Sequence, residues 1–153
     1  MGANPAYADA LRWLARRELS EAQVRDRLTR RGHASNLIDA ALVRLRNEHA
    51  IDDSRTAEAI ARKELDIKRH GKERIRRQIE RAGISSASAR RAVDAAFEGL
   101  DENALLEASL AKRLRAGEGV QDDAQFQRLY RYLVGQGFDP DQVIRTLKAR
   151  SVK

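Results

Sequence analysis

Apolar residues along this chain recur every three or four positions, and three times the recurrence closes on the same phrase. Val24, Leu28 and Gly32, then Ile75, Ile79 and Gly83, then Leu129, Leu133 and Gly137 each set one apolar residue eight positions before a glycine and another four before it. The correspondence continues past each glycine, with Ile38, Ala89 and Val143 six positions on and Leu42, Val93 and Leu147 ten positions on. The glycines lie 51 and 54 residues apart. Self-similarity at such a period is the signature of a supersecondary unit that has been copied, here three times.

Each copy holds three amphipathic segments. In the first, residues 6 to about 18 carry Leu11, Leu14 and Ala15, residues 20 to 31 carry Val24 and Leu28, and residues 35 to 49 carry Ile38, Leu42 and Leu45. The second has Ala57, Ile60, Ala61 and Leu65, then Ile75 and Ile79, then Ala89, Val93 and Phe97. The third has Leu106, Leu110 and Leu114, then Leu129, Tyr130 and Leu133, then Val143, Ile144 and Leu147. This spacing puts apolar side chains on one helical face, and no stretch sustains the alternation that a strand requires. The expected fold is all-α, three tandem three-helix repeats over residues 1–51, 52–99 and 100–153. A unit of this size buries only a marginal core, so neighbours should lean on one another in an elongated, curved helical rod of right-handed type.

Punctuation agrees with the periodicity. Ser20 with Gln23 fits a capping box, in which the hydroxyl accepts an orphan amide hydrogen and the residue at N3 reaches back. Asp139 before Pro140 reads as an N-cap followed by proline at N1. Gly32, Gly83 and Gly137 suit the left-handed position that ends a helix, and His33, Ile84 and Phe138 are placed to fold back as its hydrophobic contact.

Composition narrows the setting. There is no cysteine, hence no disulfide framework and no thiolate metal site, which fits a reducing cytoplasm. No apolar run approaches 18 residues, and Met1 to Ala10 lack the charged and apolar regions of a signal peptide, so a soluble cytoplasmic protein with no membrane attachment is expected. Catalytic chemistry finds little support. His33, His49 and His70 lie in different segments without metal-ligand spacing and read as surface or turn residues. Asp52 and Asp53 precede Ser54 and Arg55 at a helix start, where N-terminal capping accounts for them. Gly117 and Gly119 stand outside any phosphate-cradling loop. No enzymatic activity, cofactor or metal is expected.

Charge changes the picture more. The chain carries a net charge of +7. Lys plus Arg against Asp plus Glu is 9 to 6 over residues 1–51 and 9 to 9 over residues 98–153, but 12 to 6 over residues 54–97. The excess therefore sits in the middle copy. Beside the inward positions Ile75 and Ile79, Arg74, Arg77 and Arg81 fall on one flank and Lys72 and Arg76 on the other. Arg62, Lys63, Lys68 and Arg69 precede them and Arg90 and Arg91 follow. Clustered cations of this kind release counterions from a phosphate backbone and give salt-dependent, sequence-tolerant binding. The plainer account is a solvated helix face, since arginine is a good helix former. Base stacking is weakly supported, because aromatics are 5% of the chain and Tyr7 and Trp13 read as packing.

Two patterns now converge on a resemblance. The stretch Ala10, Leu11, Arg12, Trp13, Leu14, Ala15, Arg16, Arg17, Glu18, Leu19, Ser20 resembles the opening motif of the RecX family, bacterial regulators of the RecA recombinase. Ile51, Asp52, Asp53, Ser54 and Arg55 with Ala57, then Gly71, Arg74, Ile75 and Ile79, then Gly83, Ile84 and Ser85 resemble that family's central module, with mainly architectural roles. Thr56 stands where an aromatic commonly follows, and Ala82 where a lysine often precedes the Gly and Ile pair. The resemblance spans essentially the whole chain. It implies a monomeric, non-enzymatic regulator of recombination, DNA repair and the SOS response that lodges in the groove of the RecA filament on single-stranded DNA. By capping or destabilising that filament, such a protein inhibits ATP hydrolysis, strand exchange and stimulated repressor cleavage. With the charge pattern, it implies phosphate contacts from Arg74, Arg77 and Arg81, weak DNA binding without sequence preference, and a more acidic third copy, with Glu98, Asp101, Glu102 and Glu107, facing basic protein surface.

Two other readings stay open at this level. Residues 73 to 97 could form a helix-turn-helix of a transcription factor, with Arg90 and Arg91 on its recognition helix, although that helix has few groups suited to reading base edges. A passive helical scaffold would bind protein partners and show no affinity for DNA.

Overall fold

A computed structural model describes residues 3–152. Among the described residues it contains nine α-helices: α1 (Pro5–Leu14), α2 (Glu21–Arg30), α3 (Ser35–Asn47), α4 (Asp53–Asp66), α5 (Lys72–Arg81), α6 (Ser86–Phe97), α7 (Glu102–Leu110), α8 (Asp123–Gly135) and α9 (Pro140–Ala149). The only extended pairing among them is an isolated parallel bridge between Val120 and Ser151. The all-α reading and its repeated helical architecture hold. Two compact units divide the chain, Met1–Ile60 with Gln78–Ala92, and Ala61–Arg77 with Val93–Lys153.

In the first unit, α1, α2 and α3 enclose one core of Ala6, Ala10, Leu19, Val24, Leu28, Ile38, Ala41, Leu42, Leu45 and Ile51, with Tyr7 and Trp13 packed against its edge. Burial of these apolar faces, at about 25 cal/mol per Å², supplies the stability that short helices lack in isolation. The first helix is shorter than its periodicity suggests. It stops at Leu14 because residues 15–19 are needed to reverse the chain before the Ser20 cap, and Leu19 joins the core from that turn. Asn4 also caps α1, its Oδ1 accepting from the Ala6 amide at 2.9 Å ahead of Pro5 at N1.

The expected punctuation is present. Ser20 Oγ accepts from the Gln23 amide at 3.1 Å while the Ser20 amide donates to Gln23 Oε1 at 2.9 Å. Asp139 Oδ2 accepts from the Gln142 amide at 3.0 Å ahead of Pro140. Gly32 and Gly137 have φ of 89° and 104°, the left-handed region, and the next amides, of His33 and Phe138, donate back to Leu28 and Leu133. Ile84 and Phe138 are buried as expected. His33 is not a hydrophobic contact: its Nε2 lies 2.6 Å from Asp9 Oδ2. Asp9 is 7% exposed, and a carboxylate buried so deeply needs polar partners, which His33, Arg12 and Arg31 provide.

The second unit buries Leu106, Leu110, Leu133, Val143 and Leu147 completely. Its most distinctive feature is the meeting of the start of α5 with the end of α8. The Gly71 amide donates to Gln136 O at 2.8 Å and the Glu73 amide to Gly137 O at 3.0 Å. Orphan donors of one helix thus satisfy orphan acceptors of another, backbone to backbone. The approach is close enough that a Cβ on Gly71 would lie 2.5 Å from the Gly137 carbonyl carbon.

Candidate nucleic-acid interface

The Asp52, Asp53, Ser54, Arg55 motif is a joint in the first unit. Asp52 Oδ1 accepts from the Ser54 and Arg55 amides at 3.0 and 3.2 Å, capping α4. Asp53 Oδ1 accepts from the Glu21 amide at 2.9 Å and so caps α2. Arg55 donates through Nε to Glu18 at 2.8 Å and through its two terminal nitrogens to the carbonyls of His49 and Ala50. Thr56, where an aromatic was the family expectation, is 2% exposed, with its Oγ1 3.1 Å from Asp52 O and 3.3 Å from Glu18 Oε2. Ala82 is also buried, and its carbonyl accepts from Ser20 Oγ. Ile75, Ile79 and Ile84 are core residues. Gly83, at φ 81°, approaches Ala22 too closely to carry a side chain.

The predicted cations separate into two kinds. In the second unit, Lys68 pairs with Glu64 at 3.2 Å, Lys72 lies 3.6 Å from Glu102 and over the Phe97 ring, and Arg76 bonds Glu73 at 2.9 Å. Arg74 donates to Gly135 O at 3.1 Å, closing the end of α8, so its guanidinium belongs to the helix junction. By contrast, Arg62, Lys63, Arg69 and Arg77 are exposed and, among the described residues, have no ion-pair partner. In the first unit Arg81 and Arg90 are likewise exposed and unpaired, while Arg91 donates to Ser88 Oγ at 3.1 Å. Unpaired surface cations keep their full field for an incoming polyanion, whereas paired ones are partly neutralised.

Two histidines, His33 beside the buried Asp9 and His70, have roles the sequence did not suggest. His70 is buried, with Nδ1 2.6 Å from Glu64 Oε2. Burial alone would push the Glu64 carboxyl upward, but hydrogen bonds from His70 and Lys68, and their charges, outweigh it and hold Glu64 below the ordinary range. The two are six residues apart, no helical spacing; they meet because the chain turns at Arg69, whose φ is 57°. His49 does sit in a turn, at φ 58°.

The surface of α6 bears on the helix-turn-helix alternative. Ala89, Ala92, Val93 and Phe97 are buried, leaving Ser86, Ala87, Arg90, Arg91, Asp94 and Ala95 outward. That face offers two arginines and no Asn or Gln, so it can hold phosphate but has little with which to discriminate base pairs. Among the described residues no three His, Cys, Asp or Glu side chains form a group able to hold a metal ion, and no helix is long and apolar enough to cross a membrane.

Residues 6–45 match the family model described as RecX, first three-helix domain. The chain is 32% identical over 134 residues to the regulatory protein RecX of Syntrophotalea carbinolica, covering 87% of this chain and 88% of that one. It is 35% identical over 136 residues to the regulatory protein RecX of Chromohalobacter salexigens, covering 88% and 86%. Among solved structures, the crystal structure of RecX from Lactobacillus salivarius aligns with a TM-score of 0.72 at 20% identity, over 94% of this chain and 95% of that one.

Proposed function

The chain belongs to the RecX family of regulatory proteins, and from that premise we propose that it binds the RecA recombinase and its filament on single-stranded DNA and restrains the filament without catalysing a reaction of its own. Inhibition of ATP hydrolysis, strand exchange and stimulated repressor cleavage follows from occupying the polymer, whether by capping its growing end or by loosening its protomers. The protein acts as a cytoplasmic monomer built of three tandem repeats, residues 1–51, 52–99 and 100–153.

The observation that carries this reading is the set of exposed, unpaired cations Arg62, Lys63 and Arg77 in the second unit. Around them Lys68, Lys72 and Arg76 pair with carboxylates and Arg74 bonds the Gly135 carbonyl, so these three, with Arg69, offer charge that folding does not consume. They should contact phosphate and leave the base edges unread, giving binding that tolerates sequence and weakens with salt. A transcription factor is disfavoured by the Ala-rich outward face of α6.

The test is the triple substitution Arg62→Glu, Lys63→Glu and Arg77→Glu. Titrated into RecA turning over ATP on single-stranded DNA, the variant should require at least about tenfold more protein for half inhibition, and its salt slope for free DNA should shrink by roughly 2. Stability should change by no more than about 0.5 kcal/mol, since the three side chains are exposed. Unchanged inhibition by a folded variant would reject these residues as the contact.

A further inference from the structure

One face of α7 is left apolar where the core does not need it. Leu106 and Leu110, both fully buried, account for the inward side. Ala104 and Ala108 are nevertheless exposed, one turn apart, beside Leu105 and the 42% exposed Leu100. Together they floor a cavity of about 600 Å³ lying within the second unit. The two alanines make the trough, for larger side chains there would fill it. A volume of this order is that of concave recognition sites, about 300–1,000 Å³.

Its rim is net positive, with two cations against one carboxylate. Arg69, on the turn that follows α4, and Lys112, just past α7, both border the cavity and have no carboxylate partner among the described residues. The one acidic residue there, Asp101, is engaged as the N-cap of α7, accepting from the Ala104 amide at 3.1 Å. An apolar floor beside two unneutralised cations is complementary to a segment that is apolar on one face and carboxylate-bearing on its margins. Nucleic acid fits poorly, because the floor has no aromatic ring on which a base could stack.

We infer that this trough is a docking site for an acidic amphipathic segment of a protein partner. The inference goes beyond the nucleic-acid reading and does not depend on it, since it uses neither Arg62, Lys63 nor Arg77. Leucine side chains of the segment occupy the space above Ala104 and Ala108, and its carboxylates meet Arg69 and Lys112.

The absence of cysteine allows a clean test on the full chain. An Ala108→Cys variant carries a single trifluoromethyl tag in the trough, read by fluorine NMR. The probe is a synthetic helix-forming peptide with leucines at i, i+4 and i+7 flanked by glutamates; controls replace its glutamates with lysine or its leucines with serine, and a single-stranded oligonucleotide is tested in parallel. A saturable shift with the acidic leucine peptide alone is expected. By fluorescence anisotropy on untagged protein, Ala104→Trp should abolish that binding, and Arg69→Glu with Lys112→Glu should weaken it about tenfold. No shift, or an equal shift with the lysine peptide, overturns the proposal. A shift with the oligonucleotide alone assigns the trough to nucleic acid, and one that grows with protein concentration in the absence of peptide assigns it to a second copy; either outcome overturns the proposal and leaves the cation test above untouched.

Discussion

The start of α2 in the first unit and the start of α5 in the second solve the same problem in opposite ways. At α2, side chains do the capping: Ser20 and Gln23 exchange hydrogen bonds and Asp53 supplies a further acceptor. At α5, the backbone of α8 does it, through the carbonyls of Gln136 and Gly137, and Arg74 returns a bond to Gly135. Side-chain caps tolerate some change because one lost oxygen leaves one amide to water. A backbone-to-backbone seat depends on close approach, and so on the missing side chain of Gly71.

That contrast can be broken most sharply at Gly71. Gly71→Val must displace backbone of Gly137 and Phe138, which cannot swing aside, and should destabilise the protein by about 3 kcal/mol, near the upper end for overpacking. Gly32→Ala is its control: nothing lies within 4 Å of the added carbon, so only the left-handed φ opposes it, at roughly 1 kcal/mol. Chemical denaturation of both variants checks the ranking, and equal losses would show that the α5 seat is not tightly packed.

Next in size is the pair behind that seat, His70 with Glu64. Glu64→Gln removes a buried charge-assisted hydrogen bond and should cost about 2 kcal/mol near neutral pH. Because the folded protein holds the Glu64 carboxyl below its ordinary value of 4.5, the wild-type contribution is complete above that value and fades as pH falls through the lowered folded one. The variant should therefore show a shallower loss of stability on acidification, measured as the midpoint of urea unfolding against pH; parallel curves would contradict the assignment.

An effect as small as that of the Gly32 control belongs to the side-chain cap. Ser20→Ala should cost about 1 kcal/mol, from the Gln23 amide and the bond to Ala82 O together, visible as a fall of a few degrees in Tm. A larger loss than at Gly71 would invert the comparison.

The features legible beforehand share a physical trait: they are local. Apolar spacing of three and four marked the helices because a helix repeats every 3.6 residues. Ser20, Asp52, Asp139 and the glycines at 32, 83 and 137 were readable because caps involve residues within a turn or two of one another. The candidate cations were readable as a group but not one by one. Lys68 and Arg76 pair with carboxylates one turn away along the chain, whereas only tertiary contacts, to Glu102 and to the Gly135 carbonyl, set Lys72 and Arg74 apart from Arg62, Lys63 and Arg77.

Sequence alone therefore determined the helical repeat, its punctuation and the excess of positive charge in the middle of the chain. Tertiary structure decided which polar groups are internal and which remain available to a partner. Asp9 meets His33 across 24 residues, Gly71 meets Gln136 across 65, and nothing in either local neighbourhood announces the other. Periodicity records which face a residue turns inward, while the identity of what it meets there depends on how distant segments are packed.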